Sequence, residues 1–135
     1  MKNLVVIDGQ GGRIGKLLIE KVREASLPVS VTAVGANSLA TSAMLKAGAD
    51  AGATGENAVC YNAARADIIA GPVGVVMADA MLGEITPAMA AAVGRSDAKK
   101  VLIPFNQGGS VVAGTAELPV AALIKKAVEL IAQEL

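Results

Sequence analysis

The chain has 135 residues, 53% of them hydrophobic, which is one domain long enough to bury a core. Twelve Lys and Arg balance twelve Asp and Glu, so a protein working by phosphate neutralisation or on an anionic membrane surface is disfavoured. With no histidine and one cysteine, Cys60, counting excludes a Cys/His zinc site, an intrachain disulfide and any histidine-dependent triad; with only Tyr61 and Phe105 aromatic, it excludes a base-stacking platform.

Leu4–Ile7 is an apolar, mostly β-branched run followed by glycines, and predicts a buried parallel strand. Ile14, Leu18, Val22 and Ala25 recur at helical spacing and predict a helix over 14–25. Val29–Val34 reads as a second strand, ended by Gly35. Asn37 or Ser38 can cap the next helix, and Gly48 is its stop. A third strand is expected within Ala49–Thr54, a short helix over 56–65, and a fourth strand over 67–70. Val73–Met81 is ambiguous between extended chain and helix. Thr86-Pro87 is a helix cap and first-turn pair, with the helix ending at Gly94. Val101–Ile103 is a fifth strand and Val111–Ala113 a candidate sixth. Pro119 opens a last helix striped by Leu123, Ile124, Ala127 and Ile131.

Strands alternating with helices mean βαβ units. The expectation is a single-domain, three-layer α/β fold of Rossmann type over 1–135, with a mostly parallel sheet of five or six strands. The initial apolar run is too short for a signal peptide, and no stretch reaches 18 apolar residues, so a cytoplasmic protein with no membrane partner is expected. Mean hydropathy is +0.55, and homo-oligomerisation is the expected use of the surplus apolar surface.

The strongest local signal is Asp8-Gly9-Gln10-Gly11-Gly12-Arg13-Ile14-Gly15, between a predicted strand and a predicted helix. The better match is G-x-x-G-x-x-G, at Gly9, Gly12 and Gly15. One glycine would take a positive φ, one would admit a pyrophosphate to the backbone, and one would seat the helix on the strand. Phosphates would rest on Gly9, Gln10, Gly11, Gly12, Arg13, Ile14 and Gly15. A P-loop is rejected, because Leu17 stands where the metal-binding hydroxyl belongs. Asp8 beside the phosphates is expected to accept loop N–H groups. The spacing resembles the loops of extended short-chain dehydrogenases, and Gly11–Gly15 is similar to that of dihydrodipicolinate reductases.

An NAD site wants a carboxylate at the end of the second strand, and residues 34–38 offer none. Two options follow: a preference for NADP, with Asn37 and Ser38 touching its 2′-phosphate, or a mononucleotide or other phosphorylated ligand; both residues serve equally well as helix caps. Gly71 and Pro72, after the fourth strand, are candidates for the nicotinamide-ribose region. Glu84, Asp79 and Tyr61 are the candidate proton donors and acceptors. No metal site is expected.

Three segments carry a family resemblance: Val5–Gly12 with Ile14-Gly15-Lys16, Ala40–Ala58, and Met81–Ala90. Through them the whole chain resembles the DUF3842 family of small bacterial proteins. The resemblance implies a glycine-loop α/β fold and no particular reaction. Where that family tends to read Pro-Val-Asn-Arg-Cys-Asn, this chain reads Pro104-Phe105-Asn106-Gln107-Gly108-Gly109.

The leading expectation is binding of a small-molecule nucleotide, foremost a dinucleotide such as NAD(P), by a sensor or accessory protein. A small NAD(P)-dependent oxidoreductase completed by a neighbouring subunit, and a structural module with a vestigial glycine loop, are the alternatives. On the leading expectation Gly12→Val blocks the phosphates and leaves the fold largely intact.

Overall fold

The computed structural model describes residues 1–105, 109–115 and 118–135. In chain order the elements are β1 (Asn3–Asp8), α1 (Arg13–Glu24), β2 (Ser30–Gly35), α2 (Ser38–Lys46), β3 (Ala51–Thr54), α3 (Glu56–Ala63), β4 (Ile68–Pro72), α4 (Pro87–Arg95), β5 (Lys99–Ile103) and α5 (Val120–Gln133). One sheet runs β3-β2-β1-β4-β5, and every neighbouring pair is parallel. This is the order of Rossmann sheets, with a single reversal between β1 and β4.

The pattern of β1 explains its central place. Leu4 and Val6 point to one face and Val5 and Ile7 to the other, and all four are fully buried. One face packs on Ile14, Leu18, Ile19 and Val22 of α1, Met44 of α2, and Leu123, Ile124 and Ile131 of α5. The opposite face packs on Val59 and Ala63 of α3 and Met89, Ala90 and Val93 of α4. Asn37 caps α2 by accepting from the Ala40 amide at 2.9 Å, and Thr86 caps α4 by accepting from Met89 at 3.1 Å. Gly94 lies inside α4 and does not end it.

The strand count is the lower of the two expected values. The sheet has five strands among the described residues. Val111–Ala113 is not one of them, and Ser110 makes only an isolated bridge. Val111 is 72% exposed, so no burial drives that short β-branched pair into the sheet. The ambiguous stretch after β4 is a single 3-10 turn, Val73–Val76, followed by turns that run to Ile85. Of the candidate loop 106–110, residues 106–108 lie outside the described residues. No helix among the described residues is long and apolar enough to cross a membrane.

A cleft at the sheet reversal

The strand order puts the carboxyl ends of β1 and β4 side by side at the reversal, where open parallel sheets hold their ligands. A cleft of about 180 Å3 opens there. Its walls are Asp8 to Ile14 of the β1–α1 loop, Pro72 at the end of β4, Met81, and Phe105 after β5. Six of the candidate phosphate contacts and Pro72 therefore share one cavity.

The loop is shaped by its own carboxylate. Asp8 is buried and accepts from the Gly9 amide at 2.7 Å and the Gly15 amide at 2.8 Å, which ties the strand end to the first turn of α1. Burial pushes the Asp8 carboxyl above its ordinary value of 3.8; the Gly15 and Gly9 amides pull it back in part, and the charge of Glu84 raises it further. The Gly12 amide closes the turn on the Gly9 carbonyl at 2.8 Å. The amides of Gly11 and Arg13 meet no acceptor among the described residues, and both residues line the cleft. A helix N-terminus with open amides favours an anion.

One glycine of the loop, Gly12, takes the expected positive φ (72°), and Gln10 takes one as well (48°). At Gly9 a Cβ would come within 2.6 Å of Glu84 Oε1 and 2.7 Å of Met81 Sδ. At Gly15 a Cβ would press into Met44 Sδ and come within 3.2 Å of Asp8 Cβ, so this residue seats α1 against α2 and β1. At Gly12 a Cβ would lie 2.9 Å from the Ala40 Cα, on backbone that cannot yield like a side chain. Gly12→Val therefore presses on the fold itself, which corrects the expectation that the fold survives it. At Gly11 a Cβ meets nothing within 4 Å.

Glu84 is the residue whose position the sequence did not foretell. Its Oε1 accepts from the Gln10 amide at 2.6 Å and its Oε2 from Asn37 Nδ2 at 2.8 Å. The same Asn37 amide donates to the Gln10 carbonyl at 2.9 Å. A carboxylate thus does stand beside the end of β2, but it comes from the loop after β4. The preceding residues are unusual: Asp79, Met81 and Leu82 have φ of 66°, 59° and 57°, and Gly83 of 90°. Backbone bonds hold this turn together, from Asp79 N to Ile85 O at 2.7 Å and from Gly83 N to Asp79 O at 3.1 Å. Met81 is 5% exposed, whereas Leu82 at the tip is 99% exposed.

The other candidates sit elsewhere. Ser38 is exposed on the first turn of α2. Gly71 is buried in β4, where a Cβ would strike the Ile7 carbonyl of β1, so close strand packing accounts for that glycine. Asp79 is exposed, and Tyr61 on α3 is 55% exposed beneath the Arg65 guanidinium, 3.7 Å from its ring centroid. Neither Asp79 nor Tyr61 lines the cleft. No group of three or more His, Cys, Asp or Glu suited to a metal occurs among the described residues.

A five-stranded parallel sheet in this order, with a glycine loop heading α1, defines a Rossmann-type α/β protein. The chain belongs to the DUF3842 family, described as a domain of unknown function, which matches residues 3–135. No curated protein matches the sequence. Among solved structures, a dodecameric FMN-dependent UbiX-like decarboxylase from Escherichia coli O157:H7 is similar at 16% identity. Its TM-score is 0.47, with 97% of this chain and 75% of that chain covered, a likeness that carries no argument about function.

Proposed function

We propose that the chain binds a phosphate-bearing nucleotide in the cleft at the head of α1, as a sensor or accessory protein. The observation that carries this reading is the pair of amides, those of Gly11 and Arg13, that meet no acceptor among the described residues and belong to residues lining a cavity at the sheet reversal. Arg13 is the one basic side chain along that wall among the described residues and can neutralise part of an anion's charge.

Size narrows the class. Sites for whole drug-sized ligands run to about 300–1,000 Å3, and the cleft offers about 180 Å3. One phosphate and an adjoining ring portion fit; the rest of a ligand would extend outward or against a neighbouring subunit. On the β2 side, Glu84 and Asn37 fill the region that the adenosine ribose of a dinucleotide would take. The geometry therefore favours a mononucleotide-sized ligand over NAD(P). Asp79 and Tyr61 lie off the cleft and both oxygens of Glu84 are engaged, which favours binding over proton-transfer chemistry as the role.

The test is titration calorimetry with AMP, FMN, NAD and NADP on the wild type and Gly11→Val. At least one mononucleotide should bind, and Gly11→Val should weaken it tenfold or more while melting within about 3 °C of the wild type, because Gly11 lines the cleft and a Cβ there meets nothing within 4 Å. Absence of binding by all four compounds, or unchanged affinity in Gly11→Val, would overturn the reading.

A further inference from the structure

The Gln10 amide belongs to the same row of N–H groups as Gly11 and Arg13, yet it is already occupied by an anion, the Glu84 carboxylate, at 2.6 Å. The second carboxylate oxygen is held by the Asn37 side chain, which also grips the Gln10 carbonyl. Gln10 itself is in the left-handed region, so the loop is presented to Glu84 in a conformation that an ordinary residue rarely adopts unaided. A phosphate lying along this row would meet a like charge at its first amide.

The segment bearing Glu84 also touches the cleft. Met81 forms part of the cavity wall, and its sulfur and the Glu84 oxygen both crowd the same face of Gly9. Between them stand Leu82 and Gly83, both at positive φ, and the Leu82 side chain has no packing to hold it. Hence whatever enters the cleft against Met81 acts on the same short turn that seats Glu84, and that turn holds Asp79, Met81 and Leu82 in the left-handed region.

Resting on the nucleotide reading above, we propose that Glu84 is a resident anion that the ligand's phosphate displaces from the Gln10 amide, so that the 79–84 turn changes its position with occupancy of the cleft. Glu84 then competes with the ligand in the empty protein, and the exposed turn carries the bound state to the surface.

The experiment uses AMP and inorganic phosphate as probes on the full chain. Affinities are measured for the wild type, Glu84→Gln and Glu84→Ala. The chain has no tryptophan, so Leu82→Trp gives a single fluorophore on the turn. Displacement predicts at least tenfold tighter AMP binding in Glu84→Ala, a smaller gain in Glu84→Gln, and an AMP-dependent change in Leu82→Trp emission. Tighter phosphate binding alongside AMP shows that the anion itself competes; a gain confined to AMP shows that Glu84 opposes the nucleoside part and overturns displacement by phosphate. Equal affinities with unchanged emission overturn the proposal and leave nucleotide binding standing. Weaker binding in both Glu84 variants also overturns it, since Glu84 would then hold the ligand. Failure of every variant to bind either probe overturns the displacement by phosphate, while the nucleotide reading itself is decided by the four-compound titration. Glu84→Gln keeps an acceptor for the Gln10 amide, so it remains informative should Glu84→Ala fold poorly.

Discussion

The loop after β1 and the loop after β4 meet at the same cleft and solve the same problem by opposite means. Both need backbone in the left-handed region. The first places Gly12 there, alongside Gln10, and the second places Asp79, Met81 and Leu82 there with one glycine, Gly83. The first loop is fixed by a buried carboxylate bonded to its own amides, the second by a backbone turn and by burial of Met81 and Ile85. The contrast teaches that glycine content reports where a chain relieves strain, not where strain exists. A loop of ordinary residues can be the more constrained one.

Substitutions can break this comparison. The largest effect is expected from Gly12→Val, which combines positive φ with backbone contact at Ala40 and should destabilise by about 3 kcal/mol or more in chemical denaturation. A cost below about 1 kcal/mol would show that the first loop shifts easily and is not held by α2. The second loop should respond in the opposite direction. Leu82→Gly removes a side chain that packs on nothing from a left-handed position, and should stabilise by about 0.5–1 kcal/mol. Destabilisation would mean that the turn is not under strain.

The smallest effect is one of pH and sharpens the role of Asp8. Its folded value lies above 3.8, so between 3.8 and that raised value the folded state binds the proton more tightly than the unfolded state. Stability from this group is therefore greatest below 3.8 and declines as pH rises through the window. Asp50 has the opposite sign: bonds from the Val31 amide and Arg23 lower its value, so its contribution is lost as pH falls below 3.8. Denaturation curves for wild type and Asp8→Asn across this range should differ in slope, with the decline missing from Asp8→Asn. Parallel curves would show that Asp8 does not titrate as its burial implies.

Much of the fold was legible because periodicity carries it. The all-apolar run of β1, the stripes of α1 and α5, and the Thr86-Pro87 start of α4 are local signals that tertiary structure did not override. Val111–Ala113 misled because β-branching without burial makes no strand. At the site, the glycine loop and the Asn37 cap were readable from sequence. The seat of Glu84 was not, because it lies 74 residues from Gln10 and depends on how a non-repeating turn folds back over β1. The missing carboxylate at the end of β2 was a correct observation about sequence and an incomplete one about space. Gly71 shows the converse: its place after a strand suggested ligand contact, and the nearby Ile7 carbonyl supplies a packing reason.

The outer glycines of the loop, at 9 and 15, are each faced by a methionine sulfur, that of Met81 in one case and Met44 in the other. Their side-chain-free character is thus imposed from outside the turn, by thioethers on two distant elements. It follows that a methyl group at either position is admitted only if the facing side chain swings aside: the Met44 thioether for position 15, and both Met81 and the Glu84 carboxylate for position 9.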